Sequence, residues 1–245
     1  MPTITVIIPT FNEEAFLEEA LKSVAFADEI IVIDSYSTDK TPEIAKKYAT
    51  KFLQRKFDNF SNQKNFALKE ANCEWVLFVD ADERIPQKLR AEINETLIDS
   101  KHSGYKLNFP HYFMDRFLYH HSDDVLRLVK RDGAHFTGLV HEKLICTGSI
   151  GKMKSMVAHY TYKGLQNYIS KKESYAWFQA QQLYAKGKKV TWAHLFFKPT
   201  FRFIKSYFIR GSYKDGVPGL TIATINAYGV FERYVKLMLL QKGMK

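Results

Sequence analysis

The run Trp75-Val76-Leu77-Phe78-Val79 is apolar without interruption and ends abruptly on Asp80-Ala81-Asp82-Glu83. A strand with one wet face alternates apolar and polar residues, so a run without alternation predicts a strand covered on both sides, as in a parallel sheet flanked by helices. The acids then stand at the carboxyl end of that strand, where open α/β sheets bind their ligands. Carboxylates set this close tolerate each other when a hard divalent ion such as Mg²⁺ or Mn²⁺ lies among them, its remaining positions filled by water and phosphate oxygens. Asp80, Ala81 and Asp82 therefore outline a metal–diphosphate site, with Asp82 as a metal ligand. An acidic turn that only solubilises a strand end fits the same residues, and the rest of the chain has to decide.

The first third decides for the site. Thr3 to Ile8 reads as a strand stopped by Pro9, and Thr10-Phe11-Asn12-Glu13-Glu14 supplies a cap and acids for a helix over 15–24, with Phe16, Leu17, Leu21 and Val24 at helical spacing. Glu29 to Asp34 is a second buried strand that again ends on an acid. A turn-rich stretch follows, and Pro42 opens a second helix. This β-α-β-α order, with polar residues gathered at strand ends, predicts a parallel sheet with a nucleotide crevice.

Three segments, Ile8-Pro9-Thr10-Phe11-Asn12-Glu13-Glu14, Asp34-Ser35-Tyr36-Ser37-Thr38-Asp39-Lys40-Thr41 and Asp80-Ala81-Asp82-Glu83, resemble in order and spacing the nucleotide-sugar motifs of glycosyltransferase family 2. The resemblance covers roughly residues 3–160, and the remainder is similar to the lipopolysaccharide-core β-glucosyltransferase branch. It implies an α/β GT-A fold: a mixed, mainly parallel, Rossmann-like sheet flanked by helices, with a C-terminal helical extension. It also implies a UDP-sugar donor and Mg²⁺ or Mn²⁺ as cofactor.

Roles for the motifs follow from that resemblance. Asp34 and Asp39 are the short acceptors expected to meet ribose and uracil, although Asp39 also suits a cap for the Pro42 helix. Pro9, Thr10 and Glu13 would form the opposite wall. A helix starting near Ser61 presents Gln63 and Lys64 at its amino end, which favours anions; the family analogy sets both beside the donor, while Lys64 alone reads equally as a solvated surface lysine. On the acceptor side, Val140-His141-Glu142 stands where family members carry an acid. Inversion requires the acceptor hydroxyl to lose its proton during attack, so Glu142 is the expected base, with His141 as the alternative. Arg127 could add positive charge toward the leaving diphosphate. His159 is the expected histidine of the metal shell, alongside Asp82.

Between these segments, 89–98 reads as an amphipathic helix, 104–110 as a strand, and 112–124 as a polar, aromatic loop facing substrate. From Lys186 to Arg210 basic and aromatic residues interleave with no acid among them, which suits an anionic membrane surface or a helix packed on the core or on a second subunit, hence a possible homo-oligomer. Leu220–Ile225 and Tyr228–Leu240 form another apolar stretch, interrupted by Glu232, Arg233 and Lys236, so a bilayer span is not expected.

A chain of 245 residues, 46% hydrophobic, can bury one sizeable core. The expected division is a catalytic domain over 1–163 and a basic-aromatic helical region over 164–245. A net charge of +10 calls for a polyanionic partner: lipid, nucleoside diphosphate or phosphorylated glycolipid. Two cysteines, Cys73 and Cys146, exclude a disulfide framework or a zinc pattern and favour a reducing cytoplasm. No signal peptide precedes the first strand, which points to the inner face of the cytoplasmic membrane. The expected partners are a UDP-sugar, a glycolipid or saccharide acceptor and the membrane surface, with no nucleic acid. Two other readings remain: a polyprenyl-phosphate sugar transferase with the same donor site, and a non-catalytic binder of anionic lipid or nucleic acid. Carboxylates at three strand ends speak against the binder, because an anion-binding module gains nothing from acids in its cleft.

Overall fold

The computed structural model describes residues 2–114, 116–138, 142–159 and 165–244, without the side chains of His121, Asn167 and Lys171. The chain forms two compact units, Met1–Phe109 with Asp123–His159, and Pro110–Ser122 with Tyr160–Lys245. In order, the elements of the first half are β1 (Ile4–Thr10), α1 (Leu17–Ser23), β2 (Glu29–Asp34), α2 (Thr41–Tyr48), β3 (Lys51–Gln54), α3 (Phe60–Lys69), β4 (Trp75–Phe78), β5 (Glu83–Arg84) and α4 (Gln87–Ile98). The second half continues with β6 (Gly104–Phe113), β7 (Arg116–Lys130), β8 (His135–Thr137), β9 (Lys143–Ile145), β10 (Ile150–Met156), β11 (Ala158–His159), α5 (Leu165–Ala185), α6 (Trp192–Ile204) and α7 (Gly216–Gln241).

Seven strands make one sheet in the order β10-β6-β7-β4-β1-β2-β3. The β1–β2, β1–β4, β2–β3 and β10–β6 pairs are parallel, and β4–β7 is antiparallel. This is the mixed, mainly parallel sheet with flanking helices expected for a GT-A fold. Its central strands are apolar throughout because successive side chains serve two different cores. Val6, Ile8, Ile30, Val32, Trp75 and Leu77 belong to one cluster with Leu17, Ala20 and Leu21 of α1 and Leu89 and Ile93 of α4. The alternate residues Ile7, Ile31, Ile33, Val76 and Phe78 belong to a second cluster with Ala67 and Leu68 of α3 and Phe136 of β8. Each such side chain contributes about 1.5–3 kcal/mol by leaving water. One residue of slippage would carry a whole strand's side chains to the wrong core, so register is tightly held, and with it the strand ends that position the site.

Two local expectations change. The stretch 112–124 is not a loop: β6 runs on to Phe113, and β7 begins at Arg116. Its aromatics are strand residues, with Phe113 and Leu118 buried in a cluster with Tyr168 of α5 and Ile222 of α7. The first helix starts at Leu17 rather than at 15, because Asn12 takes a left-handed backbone (φ 54°) and the Phe16 and Leu17 amides both donate to the Glu13 carbonyl. In the helical unit the two apolar stretches near the C-terminus are one continuous helix, α7, with Ile222, Ala223 and Leu237 buried. Among the described residues no helix is long and apolar enough to cross a membrane.

Candidate active site

The loops after β1 and β2 are joined by side-chain to main-chain hydrogen bonds. The Asn12 amide donates to Ser37 Oγ (2.8 Å) and the Thr38 amide to Asn12 Oδ1 (2.9 Å). The Glu13 amide donates to Thr41 Oγ1 (2.8 Å). Both loop acids serve this joint. Asp34 is fully buried and accepts from the Ser37 amide (3.0 Å), the Ser37 hydroxyl, Gln54 Nε2 (3.1 Å) and Thr10 Oγ1 (3.3 Å). Asp39, just before α2, accepts from the Thr41 amide (2.9 Å) and from the Glu14 amide (3.1 Å). Partial burial would raise the Asp39 pKa, but these bonds hold it below the usual carboxylate range. Neither acid is among the residues lining the cleft beside them; both shape the loops that form its wall.

That cleft encloses about 750 Å³ at the carboxyl ends of the strands. One wall is Pro9, Thr10, Phe11, Glu13 and Ser35; the floor is Asp80, Ala81 and Asp82; the far wall is Lys56, Phe57, Phe60, Gln63, Lys64 and Glu142. The structure thus brings together Pro9, Thr10, Glu13, Gln63, Lys64, Asp80, Ala81, Asp82 and Glu142. Helix α3 supplies Gln63 and Lys64 because Asn59 caps it, its side chain accepting from the Asn62 amide (2.8 Å). Replacing Asn59 by Ala is expected to cost about 1 kcal/mol in a denaturant titration, with a matching loss of order around Lys64. Gln63 is held between Arg55 Nη1 (3.0 Å) and Ser35 Oγ (3.1 Å).

Lys64 is not a solvated lysine. It is buried, and its Nζ lies 3.1 Å from Glu142 Oε1. Its ammonium also lies 5.3 Å from the centre of the Phe136 ring. This ion pair joins a helix to a segment 78 residues away, across the cleft wall. His141, the alternative base, lies outside the described residues.

Arg127 is engaged by the acidic turn. Its guanidinium does not line the cleft; Nη2 donates to Asp80 Oδ2 (2.8 Å) and Glu83 Oε1 (2.9 Å), and the Asp80 amide donates to Glu83 Oε2 (2.8 Å). The β7–β4 register, Leu128 opposite Leu77, delivers the arginine to the acidic turn, where it is drawn to two carboxylates rather than left for a ligand. Burial pushes the Glu83 carboxyl up to about 7 against the pull of Arg127. Burial would raise Asp80 as well, yet Arg127 and then Lys64 hold it well below the usual range. The two acids are thus driven apart in acidity.

Beside them, β5 pairs with β11, Glu83 opposite His159, and His159 Nε2 stands 3.2 Å from Asp82 Oδ2. Ligand atoms of Asp82, Glu83 and His159 all lie within 4.8 Å of one another. Burial would lower the His159 pKa, but the hydrogen bond to Asp82 and the charges of Asp82, Glu83 and Asp80 raise it overall. The position therefore favours a cation. The carboxylate oxygens suit Mg²⁺ or Mn²⁺, and an added imidazole nitrogen favours Mn²⁺ of the two. Glu83 already accepts from Arg127 and from a backbone amide; Asp82 and His159 are the other two members of the cluster.

The sequence reading missed the aromatic lining. Phe11, Phe57 and Phe60 are 58%, 44% and 50% exposed at the cleft. Large apolar residues just beyond strand ends, or just before an anion-favouring helix start, were the available signal.

Comparisons with known proteins bear on the family and the fold. The profile described as "Glycosyl transferase family 2" matches residues 5–159. The chain belongs to that family. Its relatives include the lipopolysaccharide core biosynthesis glycosyltransferase LpsC of Rhizobium meliloti (strain 1021), 26% identical over 96% of this chain and 91% of that protein. A glycosyltransferase of Rickettsia typhi is 28% identical over 97% of this chain and 87% of its own length. Among solved structures, the mannosyltransferase of Pyrobaculum calidifontis, in complex with GDP-Man and Mn²⁺, matches with a TM-score of 0.57 at 16% identity, covering 97% of this chain and 87% of that one. That likeness concerns the fold. The family 2 membership makes the protein a glycosyltransferase.

Proposed function

We propose that this family 2 enzyme is a metal-dependent, inverting hexosyltransferase that moves glucose from a UDP-sugar to a lipopolysaccharide-core or related glycolipid acceptor at the cytoplasmic face of a bacterial membrane. The observation that carries the reading is one cleft holding Asp82, whose carboxylate stands 3.2 Å from the His159 imidazole, at its floor and the Lys64–Glu142 pair on its wall. The full-length relation to LpsC supports the acceptor class.

Asp82 and His159 would hold the divalent ion, which supplies positive charge against the diphosphate as it leaves. The other roles belong to the chain itself. The phenylalanines offer flat apolar surface to the base. Lys64, at the start of α3, attracts the diphosphate together with the helix terminus. Glu142 takes the proton of the acceptor hydroxyl.

A panel of nucleotide sugars with Mn²⁺ or Mg²⁺, read as transfer to lipopolysaccharide-core acceptors and as nucleotide-dependent thermal stabilisation, tests the reading. UDP-glucose with metal should give both; stabilisation by no nucleotide sugar would overturn it. Asp82→Ala is expected to stay folded, since the side chain is a third exposed and its close partner is His159. It should lose metal-dependent turnover and most of the stabilisation, about 2.7 kcal/mol for wild type at a hundredfold excess over Kd. An Asp82→Ala protein that still shows the full metal-dependent shift would place the ion elsewhere.

A further inference from the structure

We propose that the outer face of α6 and the π-helical segment after it, Lys205–Ile209, docks on an anionic phospholipid bilayer. No residue of α6 is buried, although seven of its thirteen are aromatic or large aliphatic. On its inner side Leu195 packs with Tyr234, Leu237 and Val230 of α7. On the other side Phe197, Phe201, Ile204 and Phe208 follow at i, i+4, i+7 and i+11, and are 76%, 62%, 42% and 58% exposed. At about 100° per residue Phe197, Phe201 and Ile204 fall within roughly 60° of arc, on the side of α6 away from Leu195, and Phe208 adds exposed apolar surface in the π-helical segment that follows. The result is an amphipathic helix whose continuous apolar stripe faces water.

Charge selects the occupant. From Lys186 to Lys214 the chain carries Lys186, Lys188, Lys189, Lys198, Arg202, Lys205, Arg210 and Lys214, and no Asp or Glu. Lys198 and Lys205 flank the stripe and, among the described residues, form no ion pair. A second copy of this chain docking by the same face would bring two uncompensated cationic surfaces together. A nucleic acid would use the cations but leave an aliphatic and aromatic ridge without a partner, since it stacks bases on separated rings. A bilayer with anionic headgroups satisfies both, taking the ridge into the acyl boundary and the lysines at the phosphate level.

The test reads binding without turnover, so its outcome is independent of the proposed reaction. The full chain is sedimented with vesicles of phosphatidylcholine alone and of phosphatidylcholine containing about a third phosphatidylglycerol. Binding is expected with the anionic vesicles, weakening as salt is raised, and little with the neutral ones. Removing the two most exposed phenylalanines of the stripe in F197S/F201S should weaken it by about tenfold per side chain, and K198E/K205E should weaken it comparably. These positions are exposed, so circular dichroism and melting temperature should be unchanged. Equal sedimentation of F197S/F201S and wild type would overturn the proposal. So would absence of binding to anionic vesicles, a wild-type dimer abolished by F197S/F201S, or binding to a single-stranded oligonucleotide in preference to vesicles.

Discussion

Glu142→Gln is expected to lower the transfer rate by about 10²–10⁴-fold while leaving donor binding within a few-fold of wild type. The substitution keeps the shape of the side chain and a hydrogen bond to Lys64, which lies 3.1 Å away. It removes the one property the reaction requires, an oxygen that can accept the acceptor's proton. Glu142 is suited to this because it lines the cleft yet is only about a quarter exposed, 23%. It can meet a hydroxyl while bulk water is largely excluded. A purely structural Glu142 predicts the opposite pattern: near-normal turnover and lowered stability from a buried Lys64 whose charge is no longer compensated. Rate and denaturant midpoint measured on one preparation therefore separate the two roles. Transfer retained in Glu142→Gln and lost in His141→Asn would move the base to the imidazole.

What could be read from the sequence follows from how local each signal is. The strands β1, β2 and β4 are legible because burial on two faces writes itself as an apolar run, and their acidic ends mark the cleft floor. The helix start near Ser61 and Lys64 beside it are local as well. Their partners are not. That Lys64 is buried against Glu142, that His159 meets Asp82 and that Arg127 meets Asp80 and Glu83 depends on pairings across 78, 77 and 47 or 44 residues. Such contacts arise from strand register, which periodicity does not fix. The same gap explains the misread stretch 112–124: its polar residues lie on partly exposed strand, and polarity there resembles a loop. Asp34 shows a different limit. An acid at a strand end suits either a ligand or the turn, and here four donors from the protein meet it first.

Arg127→Met should produce the largest loss of stability, about 3 kcal/mol at neutral pH. Methionine nearly matches the arginine stem in volume, so packing against Phe109, whose ring centre lies 5.2 Å from the guanidinium carbon, is largely kept. The charge is what disappears, and two carboxylates 2.8 and 2.9 Å from it lose their shared partner. Glu83 is almost fully buried, whereas Asp80 keeps about a third of its surface, which is why the lower end of the range for a broken buried pair applies. The pH dependence gives the sign of the effect. The Asp80 pKa is depressed in the folded wild type, so its contribution is present above the unfolded carboxylate value and is lost only as pH falls through the lower folded one. Glu83 is raised, so its contribution runs the other way and declines as pH rises toward about 7. Without Arg127 both acids should take up protons at higher pH than in wild type, relieving the repulsion. The difference between Arg127→Met and wild type, measured by denaturant unfolding in metal-free buffer, should therefore be largest near pH 7 and shrink toward pH 4. A difference that stays constant over that interval would show that Arg127 acts through packing, and that the separation in acidity between Asp80 and Glu83 has another source.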